Sequence, residues 1–61
     1  MDKIYVTHIY NKDRFVEGLV YYNEERCMTR INHRKRNPRF DHAEIIICSA
    51  SGEEIERRII K

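Results

Sequence analysis

Four side chains in the second half of the chain are of the types that bind zinc, namely Cys27, His33, His42 and Cys48. Thiolate and imidazole groups suit a tetrahedral zinc site. Successive members of this set are separated by five, eight and five residues, whereas structural zinc sites usually take their ligands as close pairs on tight turns. Isolated cysteines in apolar runs are more often small core residues. We therefore predict two free thiols, no metal site and no cofactor.

The histidines also suit the acid and base of a small ribonuclease, because His33 and His42 flank a segment rich in arginine. General acid–base catalysis needs both groups within reach of one phosphate. Their spacing matches no catalytic signature, and a core of this size holds several groups in catalytic geometry only with difficulty. The two glycines, Gly18 and Gly52, are too far apart for a phosphate-binding loop. The sequence therefore favours a protein that is not an enzyme and has no catalytic residues.

Positive charge is concentrated in residues 26–39, called the basic segment below, which carry six basic side chains and no acidic one. The flanking segments 1–25 and 40–61 each hold three basic and five acidic side chains, so the formal net charge is only +2. Such a block is often an interaction surface, although it can also be a solvated face that binds nothing. The predicted site consists of Arg26, Arg30, Arg34, Lys35, Arg36, Arg39 and Phe40.

Nucleic acid, either RNA or DNA, is the partner that this composition favours. Arginine and lysine neutralise phosphates and release counterions. Asn32 and Asn37 carry amides of the kind that read base edges, and Phe40 with Tyr21 or Tyr22 can stack on unpaired bases. The predicted function is a small binding module that contacts nucleic acid through the basic segment.

An acidic protein surface is the alternative partner. Arginine steers association and often anchors an interface. A short chain without a catalytic motif also fits an inhibitor or adaptor of the kind that phages and mobile elements encode, docked on a host enzyme. A homodimer is a third use of the surface, because pairing would enlarge a core limited by 61 residues. A steep loss of affinity with salt would indicate nucleic acid, and a shallow one would indicate protein.

The elements that position these residues are read from residue type and periodicity. Residues 3–10 and 15–22 are rich in β-branched and aromatic types and predict an antiparallel hairpin. Residues 43–49 predict a central strand. For residues 54–60 a returning strand competes with a helix that a capping box at Ser51 would start. The strand is favoured because a Ser-Gly turn lies between two isoleucine-bearing runs.

The middle of the chain favours a helix that begins at Glu24 under an Asn23 cap and ends near residue 34, ahead of an Asn-Pro stop. The rival interpretation is a third strand over 26–32 followed by a long basic loop over 33–41. The predicted fold is therefore of the α+β class, a small antiparallel sheet with one helix in the order ββαββ. The alternative is an all-β five-stranded meander or small barrel.

The chain is short enough to form a single small domain over residues 1–61. Its longest apolar run, residues 45–48, is far shorter than the roughly 20 residues that span a bilayer as a helix. The first residues lack the apolar stretch of a secretion signal. We therefore expect a cytoplasmic protein that does not engage a membrane.

Overall fold

The computed structural model describes residues 3–12 and 14–61, in which one helix packs on one antiparallel sheet. The predicted α+β combination of an antiparallel sheet and a single helix is confirmed. The all-β alternative is wrong, because the middle of the chain is helical. The elements are β1 (Lys3–Asn11), β2 (Arg14–Tyr21), α1 (Glu24–Arg34), β3 (Phe40–Ser49) and β4 (Glu54–Ile60).

Helix α1 starts at a capped end. Asn23 is extended, with φ −142° and ψ 124°, and its Oδ1 accepts a hydrogen bond from the backbone N–H of Arg26 at 3.2 Å. This bond satisfies one of the amides that the first turn leaves without a helical partner. Glu24 and Glu25 add negative charge at the positive end of the helix dipole. The helix ends at Arg34, so the predicted cap and bounds are confirmed and the third-strand alternative is wrong.

The strands lie in the order β2-β1-β3-β4, and each neighbouring pair is antiparallel. The predicted first hairpin is confirmed, and the predicted central strand is β3. This strand begins at Phe40 rather than Ala43, because Asn11 of β1 extends the pairing to it. Residues 54–60 form a strand, so the competing helix there is wrong. Gly52, at φ +96°, supplies the left-handed backbone of the β3–β4 turn.

One face of the sheet, called the covered face below, packs against α1. Side chains alternate between the two faces along a strand, which brings Tyr5, Thr7 and Ile9 of β1 to this face. The helix contributes Cys27 and Ile31. The buried apolar side chains of the described residues are Tyr5, Ile9, Cys27, Ile31, Ala43, Ile45 and Ile47.

Thr7 is the buried polar side chain in this core. Its Oγ1 lies 3.0 Å from the Sγ of Cys27, which satisfies both groups away from water. Burial raises the pKa of the Cys27 thiol. The opposite side of the sheet, called the open face below, carries Ile4, Val6, His8 and Tyr10 of β1 with their cross-strand neighbours, and no other described element packs on it.

Candidate nucleic-acid interface

Two arginines of the basic segment are bound to a carboxylate of β2. Nε and one terminal nitrogen of Arg30 donate to the two carboxylate oxygens of Glu17 at 3.1 and 3.2 Å, and Nε of Arg34 donates to Glu17 Oε1 at 2.8 Å. The hydrogen bonds from Arg34 and Arg30 lower the pKa of Glu17 below its ordinary value. Arg30 and Arg34 are therefore half-buried, whereas Arg26 of the same helix is exposed.

The other cations of the segment reach water. Arg26, Lys35, Arg36 and Arg39 are exposed. Among residues 3–12 and 14–61, no carboxylate lies within 4.0 Å of the charged nitrogens of Arg26, Lys35 or Arg36. These three side chains therefore retain their full positive charge for an outside partner.

The loop between α1 and β3 is held in a fixed shape. Backbone amides of Arg36 and Asn37 donate to the carbonyls of His33 and Arg34 at 3.3 and 3.0 Å. Asn37 Oδ1 accepts from the backbone N–H of Arg39 at 2.9 Å. Asn37 thus uses its side-chain oxygen to shape the turn. The basic side chains consequently project from an ordered backbone, which lowers the entropy cost of binding.

Of the three rings predicted to stack on bases, only Tyr22 is exposed to solvent. Phe40 and Tyr21 are half-buried and pack against the core cluster of the covered face. Tyr22 is 57% exposed at the end of β2. Phe40 therefore belongs to the core edge, although the basic segment leads directly into it.

A different set of rings lies together on the open face. Tyr10 is stacked on His42, with ring centroids 4.6 Å apart and an interplanar angle of 13°. Phe15 meets Tyr10 edge-on at 5.5 Å and is itself 52% exposed. We call Phe15, Tyr10 and His42 the aromatic row; it crosses β2, β1 and β3 at one end of the sheet.

A β-bulge in each neighbouring strand shapes the sheet around Tyr10. Tyr10 pairs with Phe15 while Ile9 pairs with Glu17, so Val16 is an extra residue in β2. A bulge shifts the alternation of side chains by one position, which brings Phe15 to the open face beside Tyr10. His42 lies opposite Tyr10 through the regular register of β3. In β3 the extra residue is Asp41, because Asn11 pairs with Phe40, and this bulge brings Phe40 to the covered face.

The basic segment ends beside the aromatic row. The backbone N–H of Lys12 donates to the carbonyl of Arg39 at 3.0 Å, and Lys12 lies two residues after Tyr10. Arg14 pairs with Asn11 at the same end of the sheet. Among the described residues at this end, Asp41 carries a carboxylate, and its Oδ2 lies 2.6 Å from Nδ1 of His42. Exposed cations therefore border a row in which Phe15 is exposed and Tyr10 and His42 are half-buried.

Sequence reasoning missed the aromatic row. The run over residues 3–10 has large side chains at every position, which indicates that both faces of β1 carry bulky groups, including His8 and Tyr10. The level at which Phe15 and His42 meet Tyr10 depends on the bulge at Val16 and on a long-range register. No local pattern encodes that register.

The four zinc-ligand types do not converge. Cys27 contacts Thr7 on the covered face, whereas Cys48 pairs with Ile4 of the open face. Both thiols are free. No group of three or more candidate metal ligands occurs within the described ranges. His33, the other histidine considered for catalysis, is on α1, across the sheet from His42 of the aromatic row.

No helix formed by residues 3–12 and 14–61 is long and apolar enough to span a bilayer. Comparison of the chain with protein-family models, curated proteins and solved structures finds no match. The function has to be argued from the site itself.

Proposed function

We propose that this domain is a non-catalytic module of the cytoplasm that binds single-stranded nucleic acid, RNA or DNA. The observation that carries the proposal is the aromatic row on the open face, bordered by the exposed cations of the basic segment. Bases would stack on the rings while arginine and lysine hold the phosphates.

The aromatic row has the geometry that stacking needs. An open four-stranded sheet with rings on its surface is a known platform for unpaired bases. Phe15 exposes half of its surface, and the stacked pair of Tyr10 and His42 extends the aromatic surface across β1 and β3. Duplex bases are already stacked on one another, so a flat platform of this kind selects unpaired strands.

The charge layout supports a backbone path along the loop. Lys35 and Arg36 keep no acidic partner among the described residues, and Arg39 joins the loop to the end of the sheet that carries the aromatic row. Arg26 lies beside Tyr22 at the other end of β2 and is outside this path. With about three to five phosphate contacts to a single strand, the slope of log K against log salt should be about −2 to −3.5. The two arginines on Glu17 contribute less, because they share the single negative charge of that carboxylate.

Fluorescence anisotropy with labelled oligouridine and oligothymidine of about ten nucleotides tests the proposal. Phe15→Ala should weaken binding by about five- to 150-fold, because stacking on one ring is worth about 1–3 kcal/mol. Lys35→Ala with Arg36→Ala should make the salt slope shallower by about 1.4. Tyr22→Ala is the matched aromatic control, since Tyr22 is equally exposed but lies at the far end of β2.

Lys3→Ala is the matched charge control, because Lys3 is exposed at the end of the sheet remote from the row. Circular dichroism of each variant checks that the fold is retained. If Phe15→Ala binds as tightly as the wild type, the aromatic row is not the site. If wild-type binding does not respond to salt, or neither oligonucleotide binds, the proposed function is wrong.

A second candidate function, docking on an acidic protein surface as an inhibitor or adaptor, is favoured by a separate groove. It lies where β2 meets α1, has a volume of about 450 Å³, and is lined by Val20, Tyr21, Tyr22, Asn23 and Arg26. Exposed tyrosine beside arginine is the composition of an interface hot spot. In this case Tyr22→Ala would abolish a complex isolated with the wild-type protein, and Phe15→Ala would leave it intact.

A further inference from the structure

Strand β4 is an outer edge of the sheet. It pairs with β3 on one side and with no described strand on the other. Such an edge presents a row of unpaired backbone donors and acceptors, which proteins blunt with proline, charged side chains, β-bulges, a very short strand or a covering element. β4 has seven residues and no proline, and four of its side chains are charged. A bulge at Ile55, where Ile47 pairs with Glu56 and Cys48 with Glu54, leaves residues 56–60 as the regular part of the edge. Ile55 and Ile59 are 56% and 52% exposed.

The sequence of β4, Glu-Ile-Glu-Arg-Arg-Ile-Ile, is complementary to itself when read antiparallel. Arg57 is the middle residue of Glu54–Ile60. A two-fold axis through Arg57 pairs the central residues Glu56, Arg57 and Arg58, which lie on the regular side of the bulge at Ile55. In that register Glu56 of each copy lies opposite Arg58 of the other.

The faces of the sheet agree with this register. Glu56 and Arg58 pair with Ile47 and Ile45 of β3, so both lie on the covered face, where they bind each other at 2.7 Å. A two-fold axis perpendicular to the sheet places the covered faces of both copies on the same side. Glu56 of each copy then forms a cross-strand pair with Arg58 of the other, which gives two pairs of opposite charge. Ile59 is on the open face, since it pairs with Glu44.

Arg57 lies on the axis, so Arg57 of one copy would lie opposite Arg57 of the other. Like charges directly opposite each other are destabilising unless nearby opposite charges compensate them. Arg57 is balanced, because its guanidinium binds Glu44 at 2.9 Å and Glu54 at 2.8 Å. Centring the axis on Glu56 or Arg58 instead shortens the overlap and sets isoleucine opposite arginine or lysine. The axis at Arg57 is thus the one that sets Glu56 opposite Arg58.

We propose that two copies of this chain pair antiparallel through β4, about an axis at Arg57, to form one continuous eight-stranded sheet. The dimer does not depend on the proposed nucleic-acid function, because the aromatic row crosses β2, β1 and β3 but not β4. Pairing doubles the open face and sets two aromatic rows on the same side of the sheet.

Sedimentation equilibrium tests the dimer across a wide range of protein concentration. The wild type should show a species of about 15 kDa, twice the 7.5 kDa of one chain. Glu56→Arg alone and Arg58→Glu alone each place like charges in two cross-strand pairs, and each should raise the Kd about tenfold or more. Glu53→Arg, the same charge change in the turn before β4, should leave the Kd unchanged.

Mixing the two single variants separates contacts between chains from contacts within one chain. Glu56→Arg and Arg58→Glu each lose the internal Glu56–Arg58 pair, and mixing cannot restore it. Across the proposed interface, however, a mixed dimer sets Arg opposite Glu at both positions. The mixture should therefore recover wild-type affinity, and its failure to do so would overturn the register.

Cysteine cross-linking tests the register directly. The variants carry Cys48→Ser, so that the remaining native thiol is the buried Cys27. Arg57→Cys lies opposite itself at a distance that a disulfide can bridge, so mild oxidation should give a covalent dimer. Ile59→Cys lies four residues from its own counterpart and should give none. A wild-type monomer at every concentration, or stronger cross-linking at position 59 than at 57, would refute the proposal.

Discussion

The two faces of the sheet are built by the same strands but differ in what their side chains do. On the covered face, Ile45 and Ile47 are 1% and 2% exposed and are sealed by the helix. On the open face, Phe15, Val20 and Ile59 each leave about half of their surface in water. Burial of apolar area, the dominant favourable term in folding, is therefore concentrated on one side. The other side is free to carry rings and charges for binding.

Adjacent isoleucines of β3 give the largest test of this difference. Ile45→Ala on the covered face should lower the free energy of unfolding by about 2–5 kcal/mol, because it opens a cavity under the helix. Ile46→Ala, the same change one residue later on the open face, should cost about 1 kcal/mol or less, since Ile46 is only half-buried. Urea unfolding followed by circular dichroism measures both. Equal losses would mean that the open face is also covered in solution.

The Glu17 cluster joins the helix to β2 and gives a smaller, pH-dependent test. Glu17→Gln should cost about 1 kcal/mol at neutral pH. The pKa of Glu17 is lowered in the folded state by Arg34 and Arg30, so its contribution is present in full above the ordinary glutamate pKa of about 4.3. It is lost as the pH falls below that value.

Unfolding curves of the wild type and Glu17→Gln should therefore converge in acid. Glu25→Gln on the exposed side of α1 is the control and should change stability little at any pH. Glu17→Gln also releases Arg30 and Arg34 from their carboxylate partner, and we expect this substitution to tighten oligonucleotide binding a few-fold. A stability difference that persists below about pH 3 would show that the ion pairs are not its source.

The helix start should give the smallest effect. Asn23→Ala removes the hydrogen bond from Asn23 Oδ1 to the Arg26 amide and should cost about 1 kcal/mol in thermal or urea unfolding. Asn32→Ala, on the exposed side of the same helix, is the matched control and should be neutral or slightly stabilising, because alanine is the better helix former. A similar loss for both variants would mean that the cap contributes nothing.

The sequence predicts the elements well, because their signals are local. Alternating β-branched residues identify β1 and β2, and an asparagine followed by two glutamates identifies the start of α1. The charged tail at β4 was ambiguous, since its Ser51 cap and trailing arginines also fit a helix. Pairing with β3 settles it as a strand, and that pairing is a tertiary contact that residue propensity does not contain.

The candidate site was less predictable, because it depends on contacts between distant residues. The basic segment was visible as composition, but the capture of Arg30 and Arg34 by Glu17 joins positions 13 and 17 residues apart. Phe40 looked available for stacking until the longer β3 placed it against the core. The aromatic row required the register of three strands, and register is fixed by the whole sheet.

The bulges at Val16 and Asp41 also bear on how the chain can change in length. Within the regular part of β1, losing one residue would exchange the two faces, bringing Val6 and His8 inward and Ile9 out. At the bulges the pairing already accommodates an unmatched residue in β2 and in β3. A deletion there removes the extra residue and restores simple alternation without moving Thr7 or Ile45. Insertions and deletions at this end can therefore change the pairing around the aromatic row while the alternation of faces in the folding core is retained.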